Sequence, residues 1–381
     1  MSMKKKTQVI LLILLTTITI FLLLGGLYKE KETKNALAKR AVVYNAEQKE
    51  RQEKIKLREQ SIYEEIEQFV NEDFPGIIAW GDSLTAGTGG EGTTYTDVLQ
   101  SLIKTNILTK KNILTKTNIK SIPVINMGVG GEGTQQIMGR AGSIPFIVNS
   151  FTIDDSSKVR ITIKLPNGDS ANILRQGDKG VNPVTINGTS GIITIEQDSF
   201  SSQEYTYYFN RTEPGAPVNV EDGTIMTTAA ATSTDIQNYI PIVFMGQNGG
   251  WGGNPEELIT QIKSILNMDK WNNKYLVLGL TSGTAESSAN LELAMASEFG
   301  DRYINLREYI VKNGLEQQDL DATKADMNAI NKGAIPPSLL SDTIHFNSSG
   351  YKVIGQAVYD RMIELGYFDN ILELIDELNS L

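Results

Sequence analysis

The chain has 381 residues, with 45 acidic and 35 basic side chains, one histidine and no cysteine. At about 150 residues per domain, this length predicts two or three folding units. Without cysteine there can be no disulfide, thiolate metal site or cysteine nucleophile, and one histidine excludes sites with several histidine ligands. Any catalysis that uses an imidazole must therefore use His345.

The net charge of −10 is unevenly distributed along the chain. Residues 1–60 carry 13 basic and 6 acidic side chains, whereas the remaining 321 residues carry 22 and 39. Binding to bulk nucleic acid requires a basic surface. Because most of the chain is acidic, we expect no nucleic-acid partner.

An uncharged segment from Val9 to Leu27 follows the basic cluster Lys4–Lys6. Its 19 residues would extend about 28 Å as a helix, which matches the hydrocarbon thickness of a bilayer. The apolar region of a cleaved signal is shorter, and the small residues Ala36–Ala38 lie behind a charged stretch. We therefore predict a single-pass transmembrane anchor over residues 1–28, with a cleaved signal as the alternative.

The lysines before this segment favour a cytoplasmic amino terminus, so we expect the rest of the chain outside the cytoplasm, at the cell membrane of a bacterium. Residues 29–73 are highly charged and contain few apolar side chains. Glu47 and Arg51, and likewise Glu50 and Lys54, form helix-supporting pairs. We predict a charged helical stalk, with a short coiled coil as the alternative.

Four short blocks stand out after residue 75. In chain order they are GDSLTAG at 81–87, NMGVGG at 126–131, GQNGG at 246–250 and DTIHFNSSGY at 342–351. The first three follow apolar runs that predict buried strands. A serine in a glycine-flanked turn at a strand end can be an exposed nucleophile, although the sequence lacks the G-x-S-x-G motif of the α/β-hydrolases.

In order and spacing these blocks resemble the SGNH (GDSL) hydrolase family of esterases and acetylesterases. The resemblance covers residues 75–145 and 236–365. It implies an α/β fold, a flavodoxin-like three-layer sandwich around a parallel sheet, and the predicted alternation of strands and helices agrees with it. Where the family often has an aspartate after the third-block asparagine, this chain has Gly249.

The resemblance assigns roles to individual residues. Ser83 matches the nucleophile, His345 the base that takes its proton, and Asp342 the carboxylate that orients the imidazole. Gly131, through its backbone N–H, and Asn248, through its side-chain amide, match the oxyanion hole, which the N–H of Ser83 would complete. An acyl-transfer site requires these groups on chemical grounds as well.

Several of these residues also have a purely structural interpretation. Ser83 could cap the helix predicted over Thr94–Lys104. Gly130 could replace Gly131 as the oxyanion donor by a slip of one residue. Gly130 and Arg140 are the two further residues that we consider for substrate binding.

Residues 143–235 have a different pattern from the rest of the chain. Short β-branched or alternating runs are separated by strong turn signals, Asn167-Gly168 and Asn187-Gly188. We predict a β-rich domain here, inserted into an SGNH hydrolase domain that comprises residues 74–142 and 236–381. We also predict helices over 254–267, 287–299 and 351–366, and a strand over 275–280.

The tyrosines of the β-rich domain allow two interpretations. Tyr205, Tyr207 and Tyr208 could face a carbohydrate, or they could pack across neighbouring strands. As a hypothesis, this domain overhangs the cleft and selects a polymeric substrate.

Taken together, the sequence predicts a membrane-anchored extracytoplasmic serine esterase that removes O-acetyl groups from a cell-envelope or extracellular carbohydrate through an acyl-serine intermediate. The alternatives are a lipase, lysophospholipase or thioesterase, an O-acetyltransferase of the same fold, or an inactive domain that binds glycans. The expected partners are the ester substrate, an acetylated glycan, and the membrane. We expect no cofactor and no metal.

Overall fold

The computed structural model describes residues 2–74, 76–155, 158–197 and 205–381. Pro75, after which the sequence predicts the start of the catalytic body, lies outside these residues. The chain divides into two compact units, Met1–Tyr63 with Ser380–Leu381, and Glu64–Asn379.

Helices and strands are distributed along the whole described chain. The α-helices are α1 Met3–Glu72, α2 Ser83–Ala86, α3 Tyr95–Ile103, α4 Ile113–Lys116, α5 Thr134–Ala141, α6 Ala229–Thr232, α7 Pro255–Leu266, α8 Ala285–Phe299, α9 Leu306–Asn313, α10 Lys324–Ile330, α11 Ser348–Glu364 and α12 Asp369–Ser380. The strands are β1 Ile77–Gly81, β2 Val124–Gly128, β3 Phe146–Val148, β4 Phe151–Ile153, β5 Val159–Ile161, β6 Ile163–Lys164, β7 Val184–Ile186, β8 Thr189–Gln197, β9 Tyr205–Arg211, β10 Val218–Val220, β11 Thr224–Thr227, β12 Ile240–Phe244, β13 Leu276–Leu278 and β14 Tyr303–Ile304.

Helix α1 is continuous over 70 residues, so the predicted anchor and the predicted stalk share one helix. Its amino-terminal part is long and apolar enough to cross a membrane, and no residue of the most apolar stretch is buried. The expected apolar helix at the amino terminus is therefore confirmed. Further along, Lys34 pairs with Glu30, and Lys54 with Glu50, both at 2.7 Å.

A parallel sheet of five strands forms the centre of the second unit, in the order β14-β13-β12-β1-β2. The expectation of a mixed α/β fold with a parallel sheet is confirmed. Numbered along the chain, these five strands stand in the order 2-1-3-4-5. Strand β1 thus has β2 on one side and β12 on the other. The connections after β1 and after β12 therefore run in opposite directions, and in such sheets this leaves a crevice at the carboxyl ends of the strands.

Helices cover both faces of this sheet. Trp80 and Val243 join a buried cluster with side chains of α5, α7 and α8, among them Ile137, Leu258 and Met295. The next residue of β12, Phe244, points to the opposite face. There it makes an edge-to-face contact with a tyrosine of α3, at 6.4 Å between ring centroids.

The β-rich segment, residues 143–235, builds separate antiparallel sheets. Seven strands stand in the order β5-β9-β8-β7-β11-β3-β6, and β10 pairs with β4. The side chains that alternate inward, such as Phe146, Val184 and Phe209, form a hydrophobic cluster of their own. Ile144 packs against both this cluster and the cluster under the parallel sheet.

Candidate active site

Ser83 lies in a tight turn at the carboxyl end of β1. It is the first residue of α2, and Asp82 caps that helix by accepting a hydrogen bond from Leu84 N at 2.9 Å. Gly81 is required before the turn, because a Cβ there would lie 2.1 Å from Thr85 Oγ1. Thr94 caps α3 itself, so capping of α3 does not explain Ser83.

Asp342 and His345 lie in a short loop before α11. Leu340 and Phe346 pair in an antiparallel bridge at its base. The side chain of Asn347 caps α11 by accepting from Gly350 N at 3.0 Å and donates to Ser338 O at 2.9 Å. These bonds fix the ends of the loop that carries the only imidazole of the chain.

The three predicted catalytic side chains form one hydrogen-bonded series. His345 Nε2 lies 3.0 Å from Ser83 Oγ, and His345 Nδ1 lies 2.7 Å from Asp342 Oδ2. A carboxylate can only accept, so Nδ1 carries the proton and Nε2 of the neutral ring is left as the acceptor for the serine hydroxyl. Ser83 is 7% exposed, so it is largely shielded from bulk solvent.

Asp342 is held in its ionised form by the loop around it. Its Oδ1 accepts from the backbone N–H groups of His345 and Ile344, each at 2.7 Å. These bonds, the backbone N–H of His345 first, lower the pKa of Asp342 to about 2. The carboxylate is therefore negative at neutral pH and can stabilise a protonated imidazole.

The residues proposed for the oxyanion hole lie on two loops that are joined to each other. Gly131, in the left-handed conformation with φ 71°, follows β2, and Asn248 follows β12. Asn248 Nδ2 donates to Glu132 O at 3.1 Å, and Thr134 N donates to Gly249 O at 3.0 Å. The side-chain amide of Asn248 thus has a fixed orientation and one N–H left to donate.

Arg140 does not have the expected role in substrate binding. Its side chain is 0% exposed, and its Nη2 lies 2.7 Å from Glu132 Oε2. The guanidinium also donates to Gly81 O and, at 3.0 Å, to Lys179 O. Arg140 therefore connects β1, the loop after β2 and the β-rich segment by buried hydrogen bonds. Its side chain is not accessible to a substrate.

Two buried carboxyl groups lie in this region of the site. Asp82 is 1% exposed, and burial raises its pKa to about 6. Burial likewise raises the pKa of Glu132, although Arg140 opposes the shift. Within the described residues, Asp82 Oδ2 and Glu132 Oε1 are buried without a hydrogen-bond partner.

A cavity of about 140 Å³ lies beside the loop of His345. Its lining includes Gln247, which precedes Asn248, and Thr343 and Ile344, which precede His345. Ile335 and Phe346 contribute apolar surface on the same side. The cavity therefore lies between the loop of His345 and the loop of Asn248.

The tyrosines of β9 do not present free faces to a ligand. Tyr207 is buried, and its hydroxyl donates to Ile173 O at 2.9 Å. The guanidinium of Arg175 lies 4.6 Å from the ring centre of Tyr205, and Lys158 Nζ lies 3.8 Å from that of Tyr208. The ordinary packing interpretation fits these contacts better than carbohydrate binding does.

Sequence reasoning did not identify Gln176, which the structure places near Gly130 and Ser83. A Cβ built on Gly130 would lie 3.5 Å from Gln176 Cβ and 3.9 Å from Ser83 Cβ. No sequence signal could have found this residue, because it lies in the β-rich segment, far from every block. In the part of the chain that the structure describes, no group of three or more His, Asp or Glu side chains could hold a metal ion.

No protein-family model matches the chain, and a search of the curated proteins finds no similar sequence. The chemistry of the site must therefore be inferred from its geometry.

Proposed function

We propose that this chain is a serine esterase of the SGNH type, anchored in the cell membrane with its catalytic body outside the cytoplasm. The observation that carries the proposal is the series Ser83–His345–Asp342, in which each side chain lies within 3.0 Å of the next. A nucleophile, a neutral base and an orienting carboxylate in this geometry are the requirements of acyl transfer.

In the first half of the reaction, Ser83 Oγ attacks the carbonyl carbon of the ester while His345 Nε2 takes the hydroxyl proton. The negative charge that develops on the carbonyl oxygen would accept hydrogen bonds from the N–H groups of Ser83 and Gly131 and from the amide of Asn248. Such donors are each worth about 10²–10³ in turnover. The bond to the alcohol then breaks, His345 protonates the alcohol, and an acyl-serine remains.

In the second half, a water molecule takes the place of the alcohol. His345 accepts one of its protons as the oxygen attacks the acyl-serine, and returns that proton to Ser83 Oγ as the acid leaves. Asp342 remains ionised throughout, since its pKa of about 2 lies far below neutral pH. Its charge compensates the imidazolium that forms in each half.

The arrangement of the sheet also supports an SGNH-type fold. The strand order 2-1-3-4-5 is the flavodoxin-like order, in which ligands bind at the carboxyl ends of the strands where the order reverses. Ser83, Gly131 and Asn248 follow β1, β2 and β12 at that edge. Their positions agree with the resemblance of the four sequence blocks.

For the substrate we propose O-acetyl groups on a carbohydrate of the cell envelope or the extracellular space. The cavity of about 140 Å³ beside His345 favours a short acyl group over a long chain. The apolar part of α1 would keep the enzyme at the membrane, near such a carbohydrate.

The test is labelling of the purified protein with a fluorophosphonate probe, together with hydrolysis of nitrophenyl acetate, butyrate and palmitate. We expect labelling that disappears in Ser83→Ala and persists in Ser101→Ala, a serine removed from an exposed position on α3. Hydrolysis should decrease from acetate to palmitate. Absence of labelling in folded protein would overturn the esterase, and a preference for palmitate would overturn the acetyl assignment.

A further inference from the structure

A loop of the β-rich segment, residues 172–180, lies beside the nucleophile. Gly130, which follows β2, lies between Gln176 of this loop and Ser83. A Cβ built on Gly130 would lie 3.5 Å and 3.6 Å from Cβ and Cγ of Gln176, and 3.9 Å from Ser83 Cβ. Gln176 therefore borders the space in which a substrate of Ser83 would lie.

This loop is held in place from several directions. The hydroxyl of Tyr207 donates to Ile173 O at 2.9 Å, and Arg140 Nη1 donates to Lys179 O at 3.0 Å. Lys179 Nζ in turn donates to the carbonyl of Asn126 in β2, also at 3.0 Å. The loop is thus attached both to its own sheet and to the parallel sheet.

The backbone of the loop has a conformation that L-residues rarely adopt. Asn172, Leu174 and Lys179 have φ values of 50°, 64° and 35°. Residues in such conformations persist where the surrounding contacts determine the backbone, and they concentrate at sites that bind ligands. The loop therefore presents Gln176 from a fixed backbone.

The side chain of Gln176 is exposed and available for a ligand. Within the described residues its carboxamide makes no hydrogen bond, so it offers two N–H donors and one carbonyl acceptor. A carboxamide can therefore both donate to and accept from hydroxyl groups. It adds no charge that would select for or against an ionised substrate.

The acyl group and the alcohol component of an ester extend from the carbonyl carbon in different directions, so they occupy different parts of the site. The cavity beside the loop of His345, to which Ile335, Ile344 and Phe346 contribute apolar surface, is small enough to favour a short acyl group. Gly130 and the side chain of Gln176 do not line this cavity and lie next to Ser83 itself. Given the proposed esterase, the alcohol component would then lie over Gly130.

We propose that Gln176 is a specificity-determining residue that hydrogen-bonds the hydroxyl groups of the alcohol component. The alcohol would be a polyol or saccharide, and the β-rich segment would contribute directly to its recognition. This inference rests on the proposed function, because it presupposes that Ser83 attacks an ester.

The test compares two esters that share an acetyl group and a three-carbon alcohol, propyl acetate and 2,3-dihydroxypropyl acetate. In Gln176→Ala of the full chain, we expect kcat/KM for the dihydroxy ester to fall about 3- to 10-fold, the effect of one or two hydrogen bonds. For propyl acetate the change should stay within about 2-fold. Gln237→Ala is the matched control, because it removes an exposed carboxamide that precedes β12, at the opposite edge of the sheet.

The variant Gly130→Ala is a second, independent test of this proposal. Its Cβ would make only ordinary van der Waals contacts, so the variant should fold, yet it would occupy the space between Ser83 and Gln176. We expect a larger loss with dihydroxypropyl acetate than with methyl acetate. If Gln176→Ala lowers kcat/KM equally for propyl and dihydroxypropyl acetate, or for neither, the role of Gln176 is wrong, although the proposed esterase activity is unaffected. A wild-type chain that hydrolyses none of these esters would overturn both.

Discussion

The parallel sheet and the β-rich segment contribute to the site in different ways. In the parallel sheet, each residue proposed for catalysis directly follows a strand or lies in the loop before α11, and the parallel direction of the strands brings the strand ends to one edge. In the β-rich segment, Gln176 lies near Ser83, and it belongs to the irregular loop 172–180 between β6 and β7. The ends of parallel strands meet at one edge of the sheet, whereas Gln176 of the β-rich segment reaches that edge through contacts between its loop and the body.

This difference implies that the two regions have different roles. The parallel body would carry the chemistry, and the β-rich segment would adjust which alcohol is accepted. Variants in the body should therefore change turnover of every ester. Variants in the loop should change the ratio between esters.

The largest effect is expected from His345→Ala, in the body. The chain has no second histidine, so nothing can replace the base. Turnover should fall by at least about 10⁴-fold for all esters alike. Steady-state hydrolysis of propyl and dihydroxypropyl acetate measures this, and an unchanged unfolding temperature would show that the loss is chemical. A variant that still hydrolyses one of the two esters would contradict these separate roles of the two regions.

The next largest effect is expected at the junction of the two regions, in Arg140→Met. The substitution leaves the buried carboxylate of Glu132 without its counter-charge and removes the bond to Lys179 O. Loss of one partner of a buried pair destabilises a protein by about 3–5 kcal/mol. Denaturant unfolding measures the free energy. The double variant Glu132→Gln with Arg140→Met should recover part of the loss, and a single variant as stable as wild type would show that the pair is dispensable.

A smaller effect, and one that depends on pH, is expected from Asp82→Asn next to the nucleophile. The pKa of Asp82 is raised from 3.8 to about 6, so the folded chain holds this proton more tightly than the unfolded chain. Wild-type stability should therefore decrease as the pH rises from 3.8 through 6, and stay level above that with respect to this group.

Asparagine has no such charge and can still accept from Leu84 N. Its advantage over wild type should grow across this pH range and reach at most about 3 kcal/mol. Unfolding free energies at pH 4, 5.5 and 7.5 would reveal it. An advantage that does not change with pH would mean that Asp82 is not the titrating group.

The smallest effect is expected in the β-rich segment, from Tyr207→Phe. The variant removes the hydrogen bond to Ile173 O and should destabilise the chain by about 1 kcal/mol. Because that bond anchors the loop of Gln176, the preference for dihydroxypropyl acetate over propyl acetate should also fall, by about 2-fold. Tyr205→Phe removes a hydroxyl from the same strand and serves as the control. A uniform loss on both esters would place the loop within the catalytic machinery instead.

Local patterns in the sequence were sufficient for much of the fold. The helix predicted over 254–267 is present as Pro255–Leu266, and that over 287–299 as Ala285–Phe299. Caps and apolar spacing determine such elements within a few residues of chain. The spatial neighbours of Ser83 at β2 and β12 were likewise predictable, since strands of a parallel sheet end at a common edge.

Arg140 and Gln176 show where sequence reasoning fails. The sequence shows a guanidinium but not that Glu132 folds onto it, so burial reverses the expected role. Gln176 approaches Gly130 only because the loop 172–180 is attached to both sheets. Such contacts depend on the packing of distant segments and leave no periodic signal in the chain.

Lys270 has a consequence for how this architecture could vary. Its ammonium donates to Ala230 O at 2.7 Å and to Ala141 O at 3.3 Å, so one side chain contacts the chain just before the β-rich segment and just after the last strand of that segment, β11. The polypeptide thus leaves the parallel body and returns to it at nearly the same point. The path of the chain through the parallel sheet therefore does not depend on how many residues lie between these two points, just as it would not depend on the length of a hairpin. A change in the length of this segment would therefore leave the ends of the parallel strands in place, and with them the positions of Ser83, Gly131 and Asn248.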